Sequence, residues 1–254
     1  MSHCKLKLLG LLQTRAHWGG LLYLLRQVNN RVPFLKPLQL KLDRKMDDYS
    51  NSRSKAFDTR YNTDTFIRSS LKSYEVGANL DWDWLYGPIN PDFFHEMIRR
   101  LNIPYQQYTF LDVGAGKGMC MMLASDYAFR RSIALEFSQE LVAAGKKNVH
   151  QYEQVTGKRL EIAWICEDFM QYAIPNEPIV IFLNNPFPED ISLLAVKHIQ
   201  AWLLAEQRNA IVVYRKAPKS LTHLLNATPQ LKLLTWSPYW QAFTTDSQNM
   251  INGV

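Results

Sequence analysis

Cysteine is scarce, with three in 254 residues, at Cys4, Cys120 and Cys166. They form no C-x-x-C pair, and no His/Cys spacing suits zinc, so neither a disulfide scaffold nor a zinc module is expected. A reducing compartment fits this usage. Cys120 and Cys166 lie in apolar runs and read as buried, inert thiols. Long apolar runs are also missing. The Leu-rich stretch from Leu8 to Leu25 is broken by Arg15 and by Gly19-Gly20. It falls short of the ~18 apolar residues that a membrane span needs, and it lacks the unbroken centre and cleavage site of a secretory leader. Internal repeats and low-complexity tracts are absent. Acids are missing from residues 1–42, which carry seven Lys/Arg.

What is present is an ordinary globular composition, 47% hydrophobic and 20% charged, with a net charge of +6. The charge is uneven. Residues 1–60 hold twelve Lys/Arg against four Asp/Glu, and the remaining 194 hold seventeen against nineteen. A polyanionic partner would therefore meet the N-terminal arm first, and the core gives no argument for nucleic acid. Leu8, Leu11, Trp18, Leu22 and Leu25 can share one helical face. Three readings follow: a helix packed on the core, a basic helix in weak contact with an anionic membrane surface, or an organelle-targeting peptide. The expected location is cytoplasmic, with the arm as the one candidate for a membrane-peripheral contact.

Along the chain, residues 43–65 are polar and of mixed charge, which predicts a loop. Asn90-Pro91 reads as an N-cap followed by proline at the first helical position. Phe94, Met97, Ile98 and Leu101 follow at helical spacing, and Pro104 ends the pattern. From Tyr108 short apolar runs alternate with helices. The expected strands are Tyr108–Val113, Ser132–Phe137, Glu161–Cys166, Pro178–Leu183 and Ala210–Tyr214. The expected helices are Lys117–Tyr127, Gln139–Gln154 and Asp190–Ala205. Two weaker runs, Leu231–Thr235 and Gln241–Thr244, suit a final antiparallel pair. The pattern predicts an α/β, Rossmann-like, doubly wound and mostly parallel sheet with an N-terminal helical extension. It divides the chain into 1–105 (arm, polar loop and capping helix) and 106–254 (core).

The chemistry concentrates in Phe110-Leu111-Asp112-Val113-Gly114-Ala115-Gly116-Lys117-Gly118, which leaves a strand and enters a helix. Gly114, Gly116 and Gly118 allow a tight turn and close ligand approach. The spacing is G-x-G-x-G rather than the G-x-G-x-x-G of a pyrophosphate loop. Asp112 would repel pyrophosphate but suits the ammonium of a methionine moiety, which points to S-adenosylmethionine. Glu136 ends the second strand, where an acid can accept from both ribose hydroxyls, with Phe137 beside it. Asp168 follows the third strand and can take the adenine amino group, and the Phe169 ring can lie on the base. Asn184-Asn185-Pro186-Phe187 follows the fourth strand, where the cofactor's methyl group would point. All four clusters fall at strand carboxyl ends, where open α/β sheets bind ligands.

With these residues the chain resembles the class I S-adenosylmethionine-dependent methyltransferases over roughly residues 106–215. FLDVGAGKG looks like their first motif, IALEFS their second-strand acid, CEDF their adenine contact and FLNNPF their post-fourth-strand motif. The resemblance implies a seven-strand methyltransferase sheet, with Asp112, Gly114, Ala115, Gly116, Gly118, Glu136, Phe137, Asp168, Phe169 and Asn184 around the cofactor. FDTRYNTDT (57–65) and LYGPINP (85–91) resemble a bacterial group that usually has glycine where Asn62 stands. FLNNPF is also similar to the Asn-Pro-Pro-aromatic motif of amide and adenine N-methyltransferases, with Asn185 in place of the first proline. Non-SET lysine methyltransferases carry comparable paired asparagines. Some also have an aromatic-x-Pro segment upstream, comparable to Tyr86-Gly87-Pro88.

Methyl transfer needs an aligned, deprotonated nucleophile, so much of the rate can come from positioning. The residues expected at the transfer site are Asn184, Asn185, Phe187 and Tyr86, with Tyr61 as a further wall. The amides can hold an amine, and the rings can exclude water and face a methylammonium. The leading expectation is N-methylation of a protein amine. The alternatives are a small-molecule O- or N-methyltransferase and a non-catalytic protein on the same fold.

Overall fold

A computed structural model of the chain describes residues 36–66, 87–237 and 239–246. The Leu8–Leu25 stretch and Tyr86 lie outside the described residues.

Helix α1 spans Lys36–Tyr61 and α2 spans Pro91–Leu101. The core then runs β1 (Thr109–Val113), α3 (Met119–Ala124), β2 (Arg131–Glu136), α4 (Gln139–Thr156), β3 (Ile162–Cys166), β4 (Ile179–Leu183), α5 (Glu189–Ala205), β5 (Ala210–Arg215), α6 (Lys219–Asn226), β6 (Lys232–Ser237) and β7 (Trp240–Thr244). The seven strands form one sheet in the order β3-β2-β1-β4-β5-β7-β6. All neighbours are parallel except β7, which runs antiparallel to both β5 and β6. The expected sheet and its final antiparallel pair are both present. Between β1 and β4 the chain reverses its direction of winding, which opens a crevice at their carboxyl ends.

β1 and β4 are buried at every position, as central strands covered on both faces must be. One sheet face packs Phe110, Phe182 and Val213 against α2, α3 and α4. The other packs Leu111, Ile181 and Tyr214 against α5 and α6. The predicted N-cap holds: Asn90 accepts from the Asp92 N–H at 2.8 Å, and Phe94, Met97, Ile98 and Leu101 are buried. Cys120 is buried, but Cys166 is exposed, against expectation. β3 is an edge strand, so its last residue has neighbours on one side only.

The predicted loop over 43–65 is mostly helix. α1 has no glycine, and its lone proline is its second residue, where a missing N–H costs nothing. Its inner face carries Met46, Ser54 and Phe57, all buried. Serine on a buried face hides the helical periodicity from a reading of hydrophobicity. The Ser54 hydroxyl lies 3.1 Å from the Ser50 carbonyl and 3.2 Å from that of Ile89, so its burial is compensated. After α1, the Asp58 carboxylate accepts from the Thr65 N–H (2.9 Å), the Phe66 N–H (2.6 Å) and the hydroxyls of Thr63 (2.6 Å) and Thr65 (2.7 Å). Asn62 sits at φ 53, a conformation that suits glycine or asparagine. Asparagine is therefore tolerated at this turn.

Candidate cofactor and acceptor site

A cavity opens at the carboxyl ends of β1, β2, β4 and β5, beneath α1. Gly114, Ala115, Glu136 and Phe137 line one half. Asn184, Asn185, Pro186 and Phe187 line the other, with Arg215 and Lys216 beyond them. Asp47, Ser50, Asn51 and Ser54 of α1 cover it from above.

The glycine loop is shaped by its backbone. Gly114 has φ 75, and a Cβ there would lie 2.7 Å from the Pro186 Cβ. Glycine is thus required both by conformation and by the approach of the post-β4 segment, and the two sequence motifs meet at this contact. Gly116 (φ 52) turns its N–H onto Glu136 Oε2 at 2.9 Å. Glu136 Oε1 accepts from the Ser138 N–H at 3.0 Å. Burial raises the pKa of Glu136, and the backbone donors of Ser138, Gly116 and Phe137 oppose the rise. A carboxylate offers about four acceptor positions, so these backbone donors leave room for a ribose hydroxyl. Gly118, at φ 82, caps α3.

Asp112 is 1% exposed, and neither carboxylate oxygen has a hydrogen-bond partner. Burial pushes its pKa up to about 7; the neighbouring Cys120 thiol lowers it and Glu136 raises it further. The thiol is a weak donor outside hydrogen-bonding geometry. A buried acid without a partner is costly and calls for a cation. Asp112 is not itself on the cavity lining; it neighbours Cys120, which is.

The loop is braced from outside. Lys117, buried, lies 3.5 Å from the Asp64 carboxylate. Asn148 of α4 accepts from the Asp64 N–H at 2.9 Å and donates to the Lys117 carbonyl at 3.1 Å. The segment after α1 is thereby tied to the glycine loop.

Two expected contacts are elsewhere. Asp168 is exposed and accepts from the Met170 N–H at 3.0 Å, fixing a turn. Phe169 is buried in the core, edge-on to His198 at 5.2 Å. Neither lines the cavity. An aromatic after a strand serves equally well as core or ligand wall, and here the ring points into the α5 side of the sheet. Tyr61 also turns away, packing against Phe57 and Tyr152 at 4.7 Å each. Phe187 lines the cavity, and its carbonyl accepts from the Ser192 hydroxyl at 3.0 Å.

The paired asparagines differ. Arg215 Nη1 donates to Asn184 Oδ1 at 3.1 Å. Arginine only donates, so this bond fixes which end of the amide is oxygen. Asn185 adopts φ 52 and makes no side-chain hydrogen bond among the described residues. Arg215 and the α1 residues escaped the sequence reading: Arg215 reads as the end of a strand and α1 as a polar loop.

The site thus joins a buried acid without a hydrogen-bond partner beneath a glycine turn, a second acid held by that turn, and a reversal of winding between β1 and β4, and the chain is a class I methyltransferase dependent on S-adenosylmethionine. The sequence profile described as "Histone methylation protein DOT1" matches residues 61–213, and the chain belongs to that family. No curated protein matches it. Among solved structures, it is similar to the magnesium protoporphyrin IX methyltransferase of Synechocystis with bound SAM (14% identity, 78% of this chain and 92% of that one, TM-score 0.44). It is also similar to an RNA methyltransferase from Salinibacter ruber in complex with S-adenosyl-L-homocysteine (13% identity, 63% and 94%, TM-score 0.44). A third is the ribosomal protein L11 methylase of Lactobacillus delbrueckii (13% identity, 58% and 74%, TM-score 0.41). Among the described residues no helix is long and apolar enough to cross a membrane.

Proposed function

We propose that this cytoplasmic enzyme methylates an amine nitrogen of a protein, a lysine side chain or its like. The observation that carries the reading is the post-β4 segment, which lines the cavity and presents Asn185, whose amide makes no hydrogen bond among the described residues. S-adenosylmethionine, when bound, supplies the methyl group on a sulfonium. Gly114–Gly116, Glu136 and Phe137 would hold its adenosine end, and Asp112 would answer its ammonium. Asn185 would accept an N–H of the incoming amine and orient its lone pair. A neutral acceptor does this without adding a negative charge that would favour the protonated, unreactive amine. Phe187 would exclude water from the nucleophile. Asp47 of α1, exposed at the cavity's edge, would attract a cationic side chain before it enters.

The test pairs tritium transfer into whole-cell extract with size separation of the product, followed by an Asn185→Gly variant. Glycine keeps the left-handed backbone and removes only the amide. Turnover should fall about ten- to a hundredfold, a loss of ~1.4–2.8 kcal/mol, with S-adenosylmethionine affinity nearly unchanged. Label in a small molecule, or a methyl ester or ether as product, would replace this reading with a small-molecule or O-methyltransferase.

A further inference from the structure

Two cations line the cavity, Arg215 and Lys216, and Arg215 is the one bonded to the post-β4 segment. Val113, Leu183 and Tyr214 are neighbours across β1, β4 and β5. The residues one step beyond, Gly114, Asn184 and Arg215, therefore follow at one level across the floor of the cavity. Arg215 is anchored by Nη1 on Asn184, while its Nε is buried with no partner. No acid lies within ion-pair distance of it among the described residues, and Asp47 is the acid whose charge it feels. Burial lowers its pKa to about 10, with Cys120, Asp47 and Tyr239 acting in the opposite direction. It therefore stays charged at neutral pH. A half-buried guanidinium whose Nε is cut off from water gains when an anion reaches it, and its planar fork matches a carboxylate.

Cys120 feels the charge of both this cation and Asp112. A cation without an ion-pair partner among the described residues and a buried carboxyl without a hydrogen-bond partner, sharing one neighbour, become the complement of an α-amino acid zwitterion once an ammonium ionises the carboxyl. We propose that Arg215 is the carboxylate receiver of this cavity and takes the α-carboxylate at the methionine end of S-adenosylmethionine, while Asp112 answers the ammonium. The proposal rests on the cavity being the cofactor site. A carboxylate carried by the methyl acceptor is the other source with the same chemistry.

Calorimetric titration separates the possibilities, using S-adenosylhomocysteine, its decarboxylated analogue and methylthioadenosine. The unaltered protein should bind S-adenosylhomocysteine about ten- to a hundredfold more tightly than the decarboxylated analogue, the range expected of charge-assisted hydrogen bonds. In Arg215→Gln that gap should close, with methylthioadenosine affinity unchanged, and Arg215→Lys should restore part of it. Equal binding of the first two ligands by the unaltered protein would overturn the proposal without any variant. A gap that persists in a folded Arg215→Gln protein would also overturn it, because another group would then hold the cofactor's carboxylate. Failure of all three ligands to bind would instead strike the cofactor reading beneath it.

Discussion

The two sides of the cavity are built from different materials. The floor at β1 and β2 is made of glycines in left-handed conformations and two buried acids, all within Asp112–Glu136. The roof is α1, whose cavity-facing residues Asp47, Ser50, Asn51 and Ser54 are small and polar. In the floor β1 is buried throughout, Gly114 and Gly118 lie against Pro186 and Trp164, and the Gly116 N–H donates to Glu136. The roof is held in part by an exposed ion pair. Arg53 makes two bonds to Asp92, at 2.8 and 2.9 Å, and Tyr49 donates to the same carboxylate. Cofactor binding demands one fixed geometry, whereas acceptor recognition can be varied on a polar helix with little effect on the core.

The largest expected contrast lies at Asp112. Its folded-state pKa, about 7, is above the ordinary 3.8. Below about pH 4 the carboxyl is protonated both folded and unfolded, so it costs nothing. Between about pH 4 and pH 7 the unfolded chain ionises first, and stability is lost progressively. At 1.36 kcal/mol per unit the loss is roughly 4 kcal/mol by neutral pH. Asp112→Asn should therefore be more stable than the unaltered protein at pH 8 without ligand, and little different at pH 4. Denaturant unfolding at the two values checks this. The order should reverse with saturating S-adenosylhomocysteine, because only the ionised acid answers an ammonium. Equal pH profiles for the two proteins would show that Asp112 is not held in its neutral form.

The smallest effect is expected in the roof. Arg53 is 46% exposed and Asp92 37%, and exposed pairs contribute about 0–1 kcal/mol. Arg53→Ala should lower stability by less than about 1 kcal/mol and leave S-adenosylhomocysteine affinity unchanged. If α1 is the acceptor wall, the acceptor KM should rise. A loss of cofactor affinity as large as that from a floor variant would erase the distinction between the two sides.

The same contrast explains what could be read from sequence. The floor was legible because its constraints fall on residue type: a positive φ needs glycine, and a sheet strand covered on both faces needs a continuous apolar run. The mostly parallel seven-strand sheet is accordingly as expected, and Gly114 and Glu136 both line the cavity. The roof was hidden because α1 buries Met46, Ser54 and Phe57 instead of an aliphatic stripe. α6 (Lys219–Asn226) was hidden by its shortness, with Leu221 and Leu225 as its only buried residues. Phe169 misled because a ring after β3 has two sheet faces to choose from. Arg215 gave no signal at all: its importance comes from the register that sets it beside Asn184.

The cofactor half of the cavity depends on Glu136, held by the glycine loop, to receive the ribose of S-adenosylmethionine. Calorimetric titration of S-adenosylhomocysteine into the unaltered protein and into Glu136→Ala puts that role to the test. Binding should be saturable for the first and at least about tenfold weaker for the second, through loss of charge-assisted hydrogen bonds of ~1.5–3 kcal/mol each, with the variant still folded by circular dichroism. Undiminished affinity in a folded Glu136→Ala protein would contradict it.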